Sequence, residues 1–232
     1  MPELGLSKNA LRVLKARYLH RDAEGEIIET PEQLFQSVAH SVASAELLLG
    51  DAQQASYWRE RYHSLLTSRD FLPNSPTLMN CGRPLGQLSA CFVLPLEDSM
   101  ESIFEAIKQM ALVQRTGGGT GFSFSRLRSK GEIVTSTSGE ASGPVAFMRI
   151  FDCATENIKQ GGKRRGANMG VLRVDHPDIL EFVRAKLGAN SLKNFNISVG
   201  VGDGFMDAVG QDLDYQLIHP HTGRSVGPLG AK

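Results

Sequence analysis

A thiol, several small hydroxyl groups and a run of glycines are concentrated within residues 73–121. The stretch contains a hydroxyl-rich turn at residues 73–80, an apolar segment around Cys91, and the glycine triplet at residues 117–119. Glycine lets backbone N–H groups approach an anion closely, and neighbouring amides can form an anion-binding nest. If these parts meet in space, they form a pocket for a phosphorylated small molecule with a cysteine inside it.

Two glycine-rich segments each allow two interpretations, which their spacing leaves open. The triplet is either a phosphate loop or the C-terminal stop of a helix followed by a tight turn. It lacks the G-K-[ST] ending of a Walker loop, and Phe122 stands where a G-x-G-x-x-G loop needs its last glycine. Residues 161–166 place three consecutive cations between glycines, as a solvated basic turn or as a mobile loop that contacts anions. Asn168, just beyond that loop, offers a polar partner for a nucleotide.

The cysteines and histidines show no metal-site spacing. The cysteines are odd in number and form no C-x-x-C pair, which argues against a disulfide framework or a zinc site: Cys81, Cys91 and Cys153. Each of them, taken alone, is interpreted as a small buried hydrophobe. Three histidines in the second half are interpreted as surface or capping residues, and no metal site is predicted: His176, His219 and His221.

The composition bounds the class of protein. The chain has 232 residues, of which 41% are hydrophobic and 22% are charged, so a globular core is expected. The formal net charge is zero, which gives no support for binding to nucleic acid or to a membrane surface. No apolar run approaches the roughly 20 residues that span a bilayer. The first residues lack a secretory signal, so we expect a cytoplasmic protein.

The predicted secondary structure that positions these residues changes near residue 70. Before it the pattern is helical, with Thr30 and Gln33 forming a capping box at one helix start, so we predict a helical N-terminal domain over residues 1–70. From residue 71 to 232 strands and helices alternate, which predicts an α/β layer or barrel. The capping-box spacing of Asp98 and Glu101 predicts a helix that begins there and ends near Arg115. The strands are predicted near residues 87–94, 121–124, 169–174 and 195–201. The alternation is unfinished at residue 232, and we expect a truncated chain or one subunit of a split protein.

These segments together resemble the catalytic subunit of ribonucleotide reductases, most closely the adenosylcobalamin-dependent (class II) type. The matching stretches follow the family's order, cover most of residues 5–210 and are highly specific: residues 71–80, 86–95, 117–128, 160–170 and 194–199. The resemblance implies the first half of a ten-stranded α/β barrel, preceded by a helical N-terminal domain. It also implies reduction of ribonucleotides to 2′-deoxyribonucleotides by thiyl-radical chemistry, with adenosylcobalamin as cofactor.

The resemblance also implies roles for particular residues. Cys91 matches the N-terminal member of the cysteine pair that supplies reducing equivalents. The positions that match contacts to the substrate nucleotide are Ser75, Ala90, Cys91 and Gly119. Asp98 and Arg128 match a specificity site for a deoxynucleoside triphosphate effector at a dimer interface. Arg164 lies at the centre of the loop that relays effector identity to the substrate. The implied partners are a ribonucleotide, a dNTP effector, a second copy of the chain and a thioredoxin-like or other dithiol reductant.

The chain departs from the family pattern in what it lacks. The radical cysteine, its flanking asparagine and glutamate, and the second reducing cysteine belong to the family's C-terminal half, and neither Cys81 nor Cys153 matches them. We therefore expect this chain to be inactive until a complementary C-terminal polypeptide completes it, and we expect most cobalamin contacts there. Two alternatives stay open: a non-catalytic nucleotide-binding regulatory module, and the N-terminal half of a class I large subunit.

Overall fold

The computed structural model describes residues 4–84, 86–134, 138–158, 166–188 and 191–232. The chain divides into two compact units, Met1–Ala90 and Cys91–Lys232. The domain boundary predicted between residues 70 and 71 stays a prediction; in the structure, residues 71–90 belong to the first unit. Within the described ranges, the structure has no helix that is both long enough and apolar enough to cross a membrane.

The first unit is helical, and α2 begins at the capping box that the sequence predicts. Its elements are α1 (Lys8–Arg17), α2 (Pro31–Ala43), α3 (Glu46–Leu49), α4 (Ala52–Ser68) and α5 (Ser75–Asn80). Ser7 caps α1 by accepting a hydrogen bond from the amide of Ala10. The predicted capping box of α2 is present: the Thr30 hydroxyl accepts the Gln33 amide, and Gln33 Oε1 accepts the Thr30 amide.

The core of the helical unit comes mainly from the apolar side of α2. Its buried residues are Leu34, Phe35, Val38 and Ala39 of α2, together with Leu19, Leu66, Leu78 and Cys81. Burial raises the pKa of the Cys81 thiol above its ordinary value, although a hydrogen bond with Ser41 opposes this shift. Cys81 therefore behaves as the buried hydrophobe that its isolated position predicts.

The second unit is built on a parallel four-stranded sheet in the order β1-β2-β5-β6. The strands of this sheet are β1 (Cys91–Val93), β2 (Gly119–Ser123), β5 (Asn168–Arg173) and β6 (Phe195–Gly200). The helices of the unit are α6 (Met100–Arg115), α7 (Pro144–Asn157), α8 (Ile179–Arg184) and α9 (Asp203–Gln211). Parallel neighbours require a crossover, and α6 and α7 follow β1 and β2 in this role. The alternation of strand and helix confirms the α/β prediction.

Two antiparallel hairpins accompany the sheet. One joins β3 (Ile133–Val134) to β4 (Gly139–Glu140), and the other joins β7 (Asp214–Ile218) to β8 (Ser225–Gly230). The second hairpin is tied to the chain that follows β5, because the Tyr215 hydroxyl donates to the carbonyl of Val174. The amide of Ile218 donates to the carbonyl of Asp175, 2.7 Å away.

Aromatic side chains fill the space between the sheet and its helices. Phe122 of β2 and Phe124, which directly follows β2, meet Phe151 of α7 with ring centroids 4.8 and 5.6 Å apart. Phe124 also contacts Phe195 of β6 at 6.1 Å. All four rings are almost fully buried, and such pairs add about 0.5–1.5 kcal/mol each beyond their buried area. This core fixes the relative positions of β2, β5 and β6.

Several local expectations are wrong. Cys153, predicted to be a buried hydrophobe, is exposed on α7. The first strand is short and begins at Cys91, whose side chain is exposed because it lies at an end of the sheet rather than inside the core. His176 is buried: its Nε2 lies 2.9 Å from the carbonyl of Leu127, and its Nδ1 accepts the amide of Asp178. Helix α6 is capped by Ser99 rather than Asp98, since the Ser99 hydroxyl accepts the amide of Ser102.

Candidate functional site

Cys91 and Gly119 are aligned neighbours on adjacent parallel strands. Each is the first residue of its strand, and their Cα atoms are register partners in the β1–β2 pairing. Both residues therefore lie at the amino edge of the sheet, whereas ligands of open α/β sheets usually bind at the carboxyl ends of the strands. Cys91 is exposed and belongs to no disulfide. The structure thus brings together two of the predicted substrate residues, and the thiol of one of them, Cys91, is accessible to solvent.

Of the two interpretations of the glycine triplet, the structure supports the C-terminal stop of a helix, α6. The amide of Gly118 donates to the carbonyl of Val113 at 3.2 Å, and the amide of Gly117 donates to that of Gln114 at 3.0 Å. These two bonds form a Schellman motif, and Gly117 has the positive φ of 94° that the motif requires. The amides of Gly117 and Gly118 therefore satisfy the carbonyls of α6 and are not available to an anion.

Gly118 has a second, steric reason to be glycine. A Cβ atom at this position would lie 2.7 Å from Val113 Cγ1 and 2.9 Å from Phe92 Cε2. The turn thus packs directly against both α6 and β1. This close approach delivers Gly119 to its place beside Cys91.

A buried polar cluster lies directly behind this edge, formed by Gln114, Thr120, Thr155 and Asn168. Asn168 Oδ1 accepts from Gln114 Nε2 at 2.8 Å and from the Thr120 hydroxyl at 2.7 Å. Asn168 Nδ2 donates to Thr155 Oγ1 at 2.8 Å. The cluster joins α6, β2, α7 and β5 by hydrogen bonds, and each of its side chains is almost fully buried.

The burial of Asn168 overturns its expected role as a polar partner for a nucleotide. Its carboxamide is committed to the cluster and is shielded from ligand by the surrounding elements. Gln114 Oε1 is a buried acceptor without a hydrogen-bond partner among the described residues. A Cβ atom on Gly166 would lie 2.8 Å from this oxygen, so the backbone before β5 packs tightly on the cluster. The cluster therefore holds the amino ends of β2 and β5 together.

Asp98 and Arg128, the predicted effector residues, form a close pair. Asp98 Oδ2 accepts from Arg128 Nε at 2.6 Å, and Oδ1 accepts from the Arg128 amide at 3.2 Å. Both side chains are partly shielded, with 10% and 25% of their surfaces exposed. Because Ser99 caps α6, the Asp98 carboxylate is free to make these bonds. A charge-assisted pair of this geometry fixes both side chains at the start of α6.

Sequence reasoning missed a third residue beside this pair. His221, in the turn between β7 and β8, places Nε2 2.8 Å from Asp98 Oδ2. The sequence separation between His221 and Asp98 hides this contact, and no spacing motif signals it. Only the folding of the β7–β8 hairpin onto the unit makes it visible.

The remaining predicted site residues lie elsewhere. Ser75 begins α5 in the helical unit, is half-buried, and its hydroxyl is 2.9 Å from the hydroxyl of Tyr18. Ala90 is half-buried and is the last residue of that unit. Arg164 lies outside the described residues. The substrate roles of Ser75 and Ala90 and the relay role of Arg164 stay predictions.

The fold and the site define a class of protein. In this class a helical domain is followed by a parallel α/β unit, and a cysteine lies at the amino end of the first strand. Family models support the same division. Residues 4–86 match the ribonucleotide reductase all-alpha domain, and residues 89–229 match the ribonucleotide reductase barrel domain. The chain belongs to the ribonucleotide reductase large-subunit family, which confirms the resemblance and the predicted fold: a helical N-terminal domain and the start of the barrel domain.

Individual relatives agree with the family models. The chain is 44% identical to a vitamin B12-dependent ribonucleoside-diphosphate reductase of Thermoplasma acidophilum, over 99% of this chain and 37% of the relative. It is 49% identical to an enzyme of the same name from Mycobacterium tuberculosis, over 99% of this chain and 33% of the relative. A ribonucleoside-diphosphate reductase large subunit of Dictyostelium discoideum is 30% identical over 90% of this chain. The chain spans about a third of the length of the first two relatives.

Proposed function

We propose that this chain supplies the substrate-binding, reducing-cysteine and effector-binding parts of an enzyme that reduces ribonucleotides to 2′-deoxyribonucleotides, the precursors of DNA. The names of the two bacterial and archaeal relatives favour ribonucleoside diphosphates as substrates. The chain spans about a third of the length of these relatives, and the rest of the barrel domain completes the active site.

The observation that carries this proposal is the alignment of an exposed thiol, Cys91, with Gly119 at one edge of the sheet. Reduction at C2′ replaces a C–O bond by a C–H bond and releases the hydroxyl as water. Two thiols supply the two electrons and two protons, and they become one disulfide. An accessible cysteine beside a small residue suits this step, because a ribose can approach the sulfur without a side chain in between.

The second thiol of the pair has to come from outside this part of the barrel. Cys81 is buried in the core of the helical unit, where its raised pKa disfavours the reactive thiolate. Cys153 lies on α7 rather than on a strand of the sheet. We therefore assign the second reducing cysteine, together with the cysteine that carries the radical, to the rest of the barrel domain.

The Asp98–Arg128 pair supports an effector site for a deoxynucleoside triphosphate. Among the described residues, Arg128 makes its side-chain hydrogen bond through Nε, so its two terminal nitrogens are directed away from that bond. A guanidinium held in this way can bind a phosphate through its terminal N–H groups. The carboxylate can accept a hydrogen bond from a ribose hydroxyl. A nucleotide with both groups therefore matches both members of the pair.

A second copy of the chain is the partner that α6 favours. The helix exposes apolar side chains at Met100, Phe104 and Leu112, with about half of each surface accessible. These residues recur at four- and eight-residue intervals and so follow one side of the helix. The row begins two residues after Asp98, which supports a homodimer that forms beside the effector site.

Adenosylcobalamin is the cofactor that the family resemblance and the names of the relatives favour. Among the described residues of the second unit, no histidine is free to bind its cobalt. Both ring nitrogens of His176 and of His219 lie against protein groups, and Nε2 of His221 lies against Asp98. We therefore assign most cobalamin contacts to the rest of the barrel domain.

The chemistry also favours a compartment and a reductant. A cysteine pair that is oxidised in every turnover must be reduced again, which requires a thioredoxin-like protein or another dithiol. Thiols stay reduced in the cytoplasm, so we propose a cytoplasmic location.

The test is a reconstitution assay. The chain is mixed with a polypeptide that carries the remaining barrel, adenosylcobalamin, a dithiol and a ribonucleoside diphosphate, and deoxynucleotide is measured. Product that requires both polypeptides and the cofactor supports the proposal. Product that requires an added radical-generating subunit in place of adenosylcobalamin indicates the class I version of the enzyme. A mixture that binds dNTP but makes no deoxynucleotide, while a reductase of known activity does, indicates a regulatory module.

A further inference from the structure

The turn between β7 and β8 is organised by one histidine ring. His219 Nδ1 accepts the backbone amides of His221 and Thr222, each at 3.2 Å. The carbonyl of His219 accepts the amide of Gly223, whose φ of 67° favours glycine. Since Nδ1 accepts, the ring proton lies on Nε2, which is 2.9 Å from Glu132 Oε2. The His219 ring therefore holds the turn in one conformation.

The hairpin itself is attached to the unit at several points. Its backbone and side chains reach the segment after β5 through Ile218 and Tyr215, as described above. Leu217 and Leu229 pack against the main core of the unit. His221 is consequently presented from a fixed support, and its contact with Asp98 is built into the fold.

Three protein groups use most of the hydrogen-bond acceptor positions of the Asp98 carboxylate. A carboxylate has roughly four acceptor positions. The Arg128 amide uses one position on Oδ1, while Arg128 Nε and His221 Nε2 face Oδ2. Among the described residues, Oδ1 has one acceptor position without a donor, which a ligand hydroxyl can use. His221 contacts the other oxygen, Oδ2, and so helps to orient the carboxylate.

We propose that His221 is a further residue of the nucleotide site, which positions the Asp98 carboxylate for the ligand. This inference rests on the proposed effector site and extends it to a third element of the unit, the β7–β8 turn. With 42% of its side chain exposed, the imidazole is open to a ligand while its Nε2 stays on Asp98. The ligand class is a deoxynucleoside triphosphate, whose hydroxyl matches the Asp98 acceptor and whose phosphates match the Arg128 guanidinium.

The test measures dTTP binding to the chain by isothermal titration calorimetry. His221→Ala is expected to weaken binding about threefold to tenfold, the effect of one polar partner. His221→Gln keeps an N–H donor in place of the ring nitrogen and should recover part of the affinity, which separates the contact with Asp98 from a loss of packing.

His40→Gln is the matched control, since it removes an exposed histidine of the helical unit. Circular dichroism of each variant verifies that the fold is retained. If wild type binds dTTP, Arg128→Ala loses binding and both His221 variants bind as wild type or more tightly, the His221 inference is refuted while the effector site stands. If wild type does not bind dTTP, the proposed effector site is wrong, and the His221 inference is wrong with it.

Discussion

Asn168→Ala tests whether the buried polar cluster holds β2 and β5 together behind the Cys91–Gly119 edge. The substitution removes an acceptor used by Gln114 Nε2 and the Thr120 hydroxyl, and a donor used by Thr155 Oγ1. Gln114 keeps a weaker alternative, because its Nε2 also lies 3.2 Å from Thr120 Oγ1. The partners of Asn168 would otherwise stay buried without their hydrogen bonds, which is the costly case.

The expected loss of unfolding free energy is about 3 kcal/mol, on the basis of about 1 kcal/mol for each of the lost bonds. A urea titration followed by far-UV circular dichroism should show this loss. With a urea slope of about 2 kcal/mol per molar, the midpoint falls by about 1.5 M. Trp58, the single tryptophan, lies in the helical unit, and its fluorescence reports on that unit in the same titration.

Asn196→Ala is the control, because Asn196 lies exposed on the adjacent strand β6. It should change the free energy of unfolding by less than about 0.5 kcal/mol. If Asn168→Ala does not fold, Thr155→Val removes one buried hydroxyl at nearly constant shape and should cost about 1–3 kcal/mol. Equal midpoints for Asn168→Ala and Asn196→Ala would refute the structural role of the cluster.

Three further predictions concern thiols, pH and assembly. An alkylating reagent should modify the exposed Cys91 and Cys153 well before Cys81, whose burial and raised pKa suppress the thiolate; equal rates, measured by peptide mass spectrometry, would contradict this burial. Burial raises the pKa of the Asp178 carboxyl, so the folded state favours its protonated form and loses stability as the pH rises through that pKa. Asp178→Asn should therefore be more stable than wild type at neutral pH, with a difference that shrinks toward acidic pH in urea titrations; a constant difference would disprove the linkage. Phe104→Glu should shift sedimentation from dimer to monomer, and an unchanged dimer would exclude this face of α6 as the interface.

Local sequence rules predict those parts of the fold in which neighbouring residues determine the structure. The capping box of α2 lies within four residues, and the structure contains it as predicted. The glycine triplet also ends α6 in one of its two predicted ways, because the Schellman bonds connect residues 113–118. Alternating strands and helices indicate an α/β unit without any knowledge of tertiary contacts.

Contacts between distant residues could not be predicted in the same way. The role of Asn168 depends on α6, β2 and α7 closing around it, so the sequence shows only a polar residue near a basic loop. The environment of His221 depends on how the β7–β8 hairpin folds back toward Asp98. Asp98 itself has capping-box spacing, but Ser99 competes successfully for the cap and releases the carboxylate to Arg128. The pairing of Asp98 with Arg128 was reachable through the family resemblance rather than through the residues alone.

We propose above all that Cys91 is a reducing cysteine of a ribonucleotide reductase. The most direct measurement compares deoxynucleotide formation by Cys91→Ser and Cys153→Ser in the reconstituted assay with excess dithiol. Cys153→Ser is the control, because it makes the same substitution at an exposed cysteine on α7, away from the β1–β2 edge. It should turn over as wild type. Cys91→Ser should make no deoxynucleotide over multiple turnovers. Steady-state activity of Cys91→Ser equal to that of Cys153→Ser would contradict the claim.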